Sequence, residues 1–481
     1  MYDAIVIGRD LSSLIAAVTA AHKGLKTVLI AEDPLEAEHR EAGYSFPLDP
    51  TPLSGFGQGQ VVAKLLEDLH LPMEDAPPVL PMDPAFQVIL PGHRVDIFRN
   101  GERLIAELIR EFPEQAGEIR RFHHAVAKAG HRVEGWISED RPAGRPDFRG
   151  ILGRLARLPA AAAGRFSLTV RDDSGFGRVI EAGIAILSHV VGGGPSLPLS
   201  AAYLLSLPAR GIFYPLGGRQ AWNDWLRLRF TEGGGDLREG CSVMRVETDK
   251  EIIVDLESSG ATVTLRGRRL IVSAKWEKLN LLLLGRKPFR RLARRLDSVV
   301  PAAYPFCLHM GVHEGGIPER LAPYAVAVPD ETRPAADGNL VFLETSFPGE
   351  TGRAPKGRRA VTATVFLKDS PLRLTDRELK EHATGVIDSL EGFLPFLRES
   401  IDYLHVEKSI ALSRRCQEIV NQKYRTRKRS FLGIGSIRPE TPRSGVFLTG
   451  GILLAGQGFE GEIRSGMHAA FWAEREVGKH G

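Results

Sequence analysis

The chain begins Met1-Tyr2-Asp3-Ala4-Ile5-Val6-Ile7-Gly8-Arg9-Asp10-Leu11-Ser12-Ser13-Leu14-Ile15-Ala16-Ala17-Val18. Ala4 to Ile7 is an unbroken apolar run, the pattern of a parallel strand buried on both faces. Leu11 to Lys23 is rich in alanine and lacks Pro and Gly, which predicts a helix, and Gly24 suits its C-cap. Thr27 to Ile30 predicts a second buried strand, followed by the acids Glu32 and Asp33. Strand, glycine turn, helix, strand and acid within about 30 residues is the layout of a dinucleotide site. It aims a helix N-terminus and free backbone N–H groups at a pyrophosphate.

The turn departs from the usual G-x-G-x-x-G. Gly8 keeps the tight turn, and Ser13 is a small replacement where helix and strand pack closely. Asp10 stands where the backbone approaches the phosphates, and it adds bulk and negative charge. Two like charges about 4 Å apart repel by about 4 kcal/mol at an effective dielectric of 20. Arg9 offers an offsetting charge. The alternative is that Asp10 turns away and serves as the N-cap of the helix.

A second glycine-rich segment lies at residues 445–474, GVFLTGGILLAGQGFEGEIRSGMHAAFWAE. Val446 to Thr449 reads as a strand and Ser465 to Glu476 as a helix. Gly450, Gly451, Gly456, Gly458 and Gly461 lie between them. The spacing of Gly456, Gly458 and Gly461 matches G-x-G-x-x-G, but no βαβ unit follows, so the match alone is weak.

The two ends together resemble the phytoene desaturase group of flavoproteins, within the flavin amine oxidase-like superfamily. In that group the C-terminal segment runs strand, G-A-G-T-H-P-G-x-G-x-P-G, then S-G-x-x-A-A. Gly450, Gly456, Gly458, Gly461, Ser465, Gly466, Ala469 and Ala470 match it without a gap. Phe46 to Leu53 resembles the stretch after the first acid, with Thr51 where glycine is common. Tyr214-Pro215-Leu216-Gly217-Gly218 resembles Y-P-x-G-G. Gly234-Gly235-Asp236-Leu237 with Cys241 to Val246 resembles a further strand pair. Departures are Asp10, Ser13, Ala31 where the ribose-binding acid usually stands, Gly451, and Leu453-Leu454-Ala455 in place of T-H-P.

The resemblance implies an α/β chain in which a Rossmann-type FAD-binding domain is interleaved with an α+β substrate domain built on an antiparallel sheet. Residues 1–75, 205–285 and 430–481 would form the first, and 76–204 and 286–429 the second. It also implies FAD as cofactor, approached by Gly8, Arg9, Asp10, Ser12, Ser13, Glu32, Gly450, Gly451, Gly458, Phe459 and Gly461, with Val243 on the adenine side. Tyr304 to Val312, Leu340 to Thr345, Ala360 to Leu367 and Ile401 to Ile410 read as strands of the substrate half. The stretch 190–208 reads either as a cavity lining or as a buried helix pair, and 141–164 as a loop with a short helix.

Composition narrows the function. The 481 residues exceed one core, so two domains or an interleaved pair is expected. A net charge of +4, from 63 basic against 59 acidic residues, is too balanced for a nucleic-acid partner. Cys241, Cys307 and Cys416 show no metal-ligand spacing and fit a reduced, cytoplasmic compartment. No run is apolar for the roughly 18 residues a span needs, and no signal peptide precedes the first strand. Two basic clusters, Lys287 to Arg295 and Lys423 to Arg429, read either as solvated faces or as a peripheral contact with anionic lipid. His123-His124 point to different helix faces and form no metal site.

The expected activity is hydride transfer between FAD and an apolar small-molecule substrate, isoprenoid or polyene in character. The cofactor carries such chemistry, and no catalytic acid, base or nucleophile stands out. The alternative is a chain that has lost FAD and acts as a non-catalytic binding or scaffold subunit. An NAD-linked enzyme would leave the C-terminal glycines unexplained.

Overall fold

The computed structural model describes all residues except 140–173, 191–198, 285–288, 298, 336–337, 418, 427–436 and 478–481. The expected loop at 141–164 and most of 190–198 therefore lie outside the described residues.

The opening βαβ unit forms as its sequence dictates. Strand β1 (Tyr2–Ile7), helix α1 (Leu11–His22) and strand β2 (Thr27–Ala31) follow one another, and β1 pairs β2 in parallel. Ala4 to Ile7 and Val28 to Ala31 are fully buried. Gly24, at φ +81°, leaves α1 in the left-handed conformation that its missing Cβ permits. The other strands of this sheet come from far along the chain: β3 (Asp236–Glu239), β4 (Ser242–Glu247), β5 (Ile252–Ser258), β6 (Ala261–Ser273) and β7 (Val446–Thr449). The order is β3-β2-β1-β6-β5-β4, with β7 also on β6. Its core β3-β2-β1-β6-β7 is parallel, and β4, β5 and β6 form an antiparallel meander.

An eight-stranded sheet uses Phe86–Leu90, His93–Ile97, Val299–His313, Tyr324–Ala327, Val341–Thr345, Arg358–Leu367, Ile401–Leu404 and Lys423–Thr426. All its pairs are antiparallel except Phe86–Leu90 with Tyr324–Ala327. The chain thus has the expected α/β character, and each sheet draws on separated segments.

Three expectations need correction. Only Ile401–Leu404 is a strand, because Val406–Arg415 turns into a helix that buries Ser409, Ile410 and Ser413 at helical spacing. The C-terminal helix α2 spans Gly458–Val477 and starts seven residues before Ser465. Glycines do not break it because its first turns are wedged among Leu454, Gln457 and Leu187. Leu199–Arg210, in the stretch that reads as a cavity lining or a buried helix pair, is a largely buried helix. Lys423 is not part of a basic surface: it is 4% exposed, and its Nζ donates to the Ala185 and Ser188 carbonyls at 2.6 and 2.5 Å.

Helices α1 and α2 lie against each other beside the first sheet. A Cβ at Gly466 would collide with the Ser12 carbonyl and Ile15, so only glycine admits this approach. No described helix is long and apolar enough to cross a membrane. Phe289 and Leu292 are buried while Arg290, Arg291, Arg294 and Arg295 are exposed, so that short helix is amphipathic.

Candidate functional site

The β1–α1 turn brings its predicted residues together. Gly8 has φ +149°, and a Cβ there would press on Ser13 Oγ and on Ser273 Cβ. Asp10 is the N-cap of α1, with extended backbone. Its Oδ1 accepts the Ser13 N–H at 2.8 Å and the Ser13 hydroxyl at 2.7 Å. Its Oδ2 accepts the Ser273 hydroxyl at 2.6 Å from the end of β6. Asp10 thus serves as the cap, its carboxylate on the helix N-terminus and 4% exposed. Ser12 is fully buried, and its Oγ has no hydrogen-bond partner among the described residues. Arg9 lies beside this turn, 8% exposed. It pairs with Asp33 at 3.1 Å and donates to the Arg415 carbonyl at 2.5 Å.

Just past the C-terminal end of β2, Glu32 reaches across to β4. Its Oε1 accepts the Val243 N–H at 2.8 Å, and its Oε2 accepts the Trp276 indole N–H at 2.6 Å. Lys278 Nζ bonds the same carboxylate, and also the Ser242 hydroxyl at 2.8 Å and the Val243 carbonyl at 3.3 Å. A register shift between Val243 and Arg245 interrupts the β4–β5 ladder here. Glu32 and Val243, both expected beside the adenosine end of FAD, are bonded to each other.

The C-terminal glycines close against protein as well. Gly450 has φ +124°, and a Cβ on it would lie 3.6 Å from Asp10 Oδ2. Gly451 faces Glu462 and Asn421, Gly458 abuts the Leu187 carbonyl, and Gly461 abuts the Leu454 carbonyl. Phe459 is 8% exposed and packs with Phe56, with ring centroids 6.3 Å apart.

Residues that sequence reasoning missed complete a polar chain nearby. His189 Nε2 lies 3.0 Å from Glu462 Oε1, and Asn421 Nδ2 bridges Glu462 to Asp49 Oδ2. Lys275 Nζ donates to Asn421 Oδ1 at 3.2 Å. Asp49 Oδ1 accepts from the Thr51 N–H at 2.9 Å and its hydroxyl at 2.5 Å. Burial alone would raise the pKa of Asp49, but Arg219, His189 and the Thr51 bonds outweigh it and hold the group at about 2. The signal for Lys278 and Trp276 lay in Lys275-Trp276-Glu277-Lys278, immediately after the strand that carries Ser273.

Cavities border this region. One of about 630 Å³ is lined by Glu36, Glu38, His39, Arg40, Lys408 and Arg415, among others. A narrow one of about 80 Å³ runs past Arg9, Leu11, Asp49, Arg219 and Phe459. Around the groove, Asp10 holds the N-terminus of α1, Glu32 bonds Val243, and Gly458 meets the Leu187 backbone. Among the described residues no His/Cys/Asp/Glu cluster is arranged for a metal, and the three cysteines are buried and free.

No family model matches the chain. It is 24% identical over 438 residues to the chloroplastic prolycopene isomerase of Arabidopsis thaliana, covering 84% of this chain and 71% of that one. It is 24% identical over 279 residues to the neurosporene-forming phytoene desaturase of Rhodobacter capsulatus. That match covers 54% of this chain and about half, 49%, of the relative. Cyclohexylamine oxidase from Brevibacterium oxydans shares the fold, with a TM-score of 0.57, 17% identity and 99% of each chain covered. The chain is phytoene desaturase-like, and these similar proteins are oxidoreductases and an isomerase.

Proposed function

We propose that this phytoene desaturase-like chain binds an apolar small molecule of isoprenoid or polyene character, either to oxidise or reduce it or only to hold it. Phytoene and prolycopene, for which the two sequence relatives are named, are hydrocarbon polyenes. Kinship supports the first reading, an FAD-dependent oxidoreductase, in which the flavin would supply hydride chemistry. What carries that reading is continuity. Sequence similarity spans 84% of the chain, and Gly8, Gly217, Gly218, Gly450 and Gly458 all hold positive φ in the groove and its flanks.

A specific observation favours the second reading, a binding or scaffold subunit that has lost FAD. The Glu32 carboxylate accepts the Val243 N–H at 2.8 Å, a donor on the strand expected to approach adenine.

The visible spectrum of the purified protein, before and after addition of FAD and desalting, separates the two. A retained flavin spectrum establishes the oxidoreductase reading, because the groove must then open. A colourless protein that is folded by circular dichroism and refuses FAD establishes the binding subunit. Membrane contact through the exposed arginines of 290–295 is a separate proposal, checked by co-sedimentation with anionic vesicles.

A further inference from the structure

We infer that the ADP half of the groove carries an internal ligand: the chain's own side chains copy the hydrogen-bonding groups of an adenine nucleotide and compete with one. The inference deepens the binding-subunit reading and rests on the groove's assignment to a dinucleotide.

Two sites carry it independently. At the helix N-terminus, a phosphate would be received by backbone N–H groups and small hydroxyls. The Asp10 carboxylate receives that set from the protein itself, taking the Ser13 N–H, the Ser13 hydroxyl and the Ser273 hydroxyl. The anion is built in. At β4, the Watson–Crick edge of adenine presents an acceptor nitrogen beside an exocyclic amine donor, and a strand peptide answers with its N–H and C=O. Val243 makes both of these bonds. Its N–H goes to Glu32 at 2.8 Å, and its C=O accepts from Lys278 Nζ at 3.3 Å. The Glu32–Lys278 ion pair thus offers one acceptor and one donor side by side, as a base edge would. Trp276 covers the pair, 4% exposed, and donates to Glu32.

A side chain that merely blocked a groove would leave the groove's donors unpaired, at a cost for each buried group. Here the Ser13, Ser273 and Val243 donors are satisfied by groups of the ligand's own polarity, while the buried Ser12 hydroxyl lacks a partner among the described residues. An entering pyrophosphate must displace a carboxylate or face it at close range, where like charges repel.

The test uses the full chain with ADP and FAD as probes, titrated by calorimetry. Variants are Asp10→Gly, Asp10→Asn, Lys278→Met and the Asp10→Gly/Lys278→Met double. Asp10→Asn removes the charge while keeping a capping residue, so it reports even where the glycine variant folds poorly. The expected result is ADP binding at least tenfold tighter in Asp10→Asn or Asp10→Gly than in the natural chain, with a further gain in the double variant. Unchanged ADP affinity in every variant, or no binding by any folded variant, overturns the inference. The oxidoreductase reading is judged separately by whether the natural chain retains flavin. ADP gained by the variants while the natural chain holds no flavin leaves the internal ligand standing and that reading fallen.

Discussion

Two kinds of buried carboxylate share this molecule. In the eight-stranded sheet, Glu344 is 3% exposed and meets Arg353, 1% exposed, through two bonds of 2.9 Å. Arg353 also donates to the Tyr214 hydroxyl at 2.7 Å and to the Ser45 carbonyl at 3.0 Å. In the groove, Asp10 is as deeply buried, yet the bonds it accepts come from a backbone N–H and two serine hydroxyls. The first carboxylate has a resident cation, so its place in the fold is fixed by charge. The second is held by neutral donors of the kind that phosphate or water also satisfies. Exchangeability is therefore built into one site and absent from the other.

The largest expected effect breaks the arginine-held side. Arg353→Met leaves Glu344 buried without its cation, and removing one partner of such a pair costs about 3–5 kcal/mol. The urea midpoint should fall accordingly. An Arg353→Met/Glu344→Leu double variant should recover most of the loss, because a well-packed apolar replacement of a buried pair is often neutral. If the single variant loses under about 1 kcal/mol, the pair behaves like a surface bridge and the contrast with Asp10 disappears.

Asp49 sharpens the comparison, since it uses both kinds of partner: Arg219 electrostatically, and Thr51 and Asn421 through hydrogen bonds. Its pKa in the fold is about 2, below the ordinary 3.8. A depressed carboxylate contributes stability that is complete above the unfolded value and is lost as pH falls from about 3.8 through about 2. At about 1.4 kcal/mol per unit the contribution is about 2 kcal/mol. Thermal unfolding between pH 5 and 2 should show this acid limb in the natural chain and a shallower one in Asp49→Asn. Parallel curves would mean that Asp49 carries no net stabilisation.

These differences explain what the sequence made legible. The opening βαβ unit was readable because its signals are local: Ala4 to Ile7, Leu11 to Lys23 and Thr27 to Ile30 each carry one periodicity. Asp10 as cap was readable too, because capping is a property of four consecutive residues. What escaped was long-range. The Glu32 bond to Val243 spans 211 positions, and the Ser273 bond to Asp10 spans 263. No pattern in either segment announces its partner. The early start of α2 at Gly458 was hidden for a related reason: a glycine-rich stretch predicts a loop until tertiary contacts at Leu187 and Leu454 fix it. Val406–Arg415 was misread because a short apolar–polar alternation also fits a helix whose buried positions include serines.

The smallest effect on stability is expected at Asp10 itself. Asp10→Ala removes an N-cap, which costs about 1 kcal/mol, and it leaves the Ser13 N–H and the Ser273 hydroxyl to find water in the groove. Asp10→Gly should cost only a few tenths of a kcal/mol, because glycine frees the backbone N–H groups to be solvated. Thermal unfolding of the three proteins should therefore rank natural chain, Gly, then Ala, within a narrow span. That narrowness is the diagnostic quantity. A buried carboxylate whose loss the fold barely registers is one whose surroundings accept a substitute, and the helix N-terminus supplies the same field to whichever anion stands there. A loss of about 3 kcal/mol or more, the scale of a broken buried ion pair, would instead make Asp10 a structural charge like Glu344. The turn would then have given up ligand binding for stability, and no nucleotide could be expected to take its place.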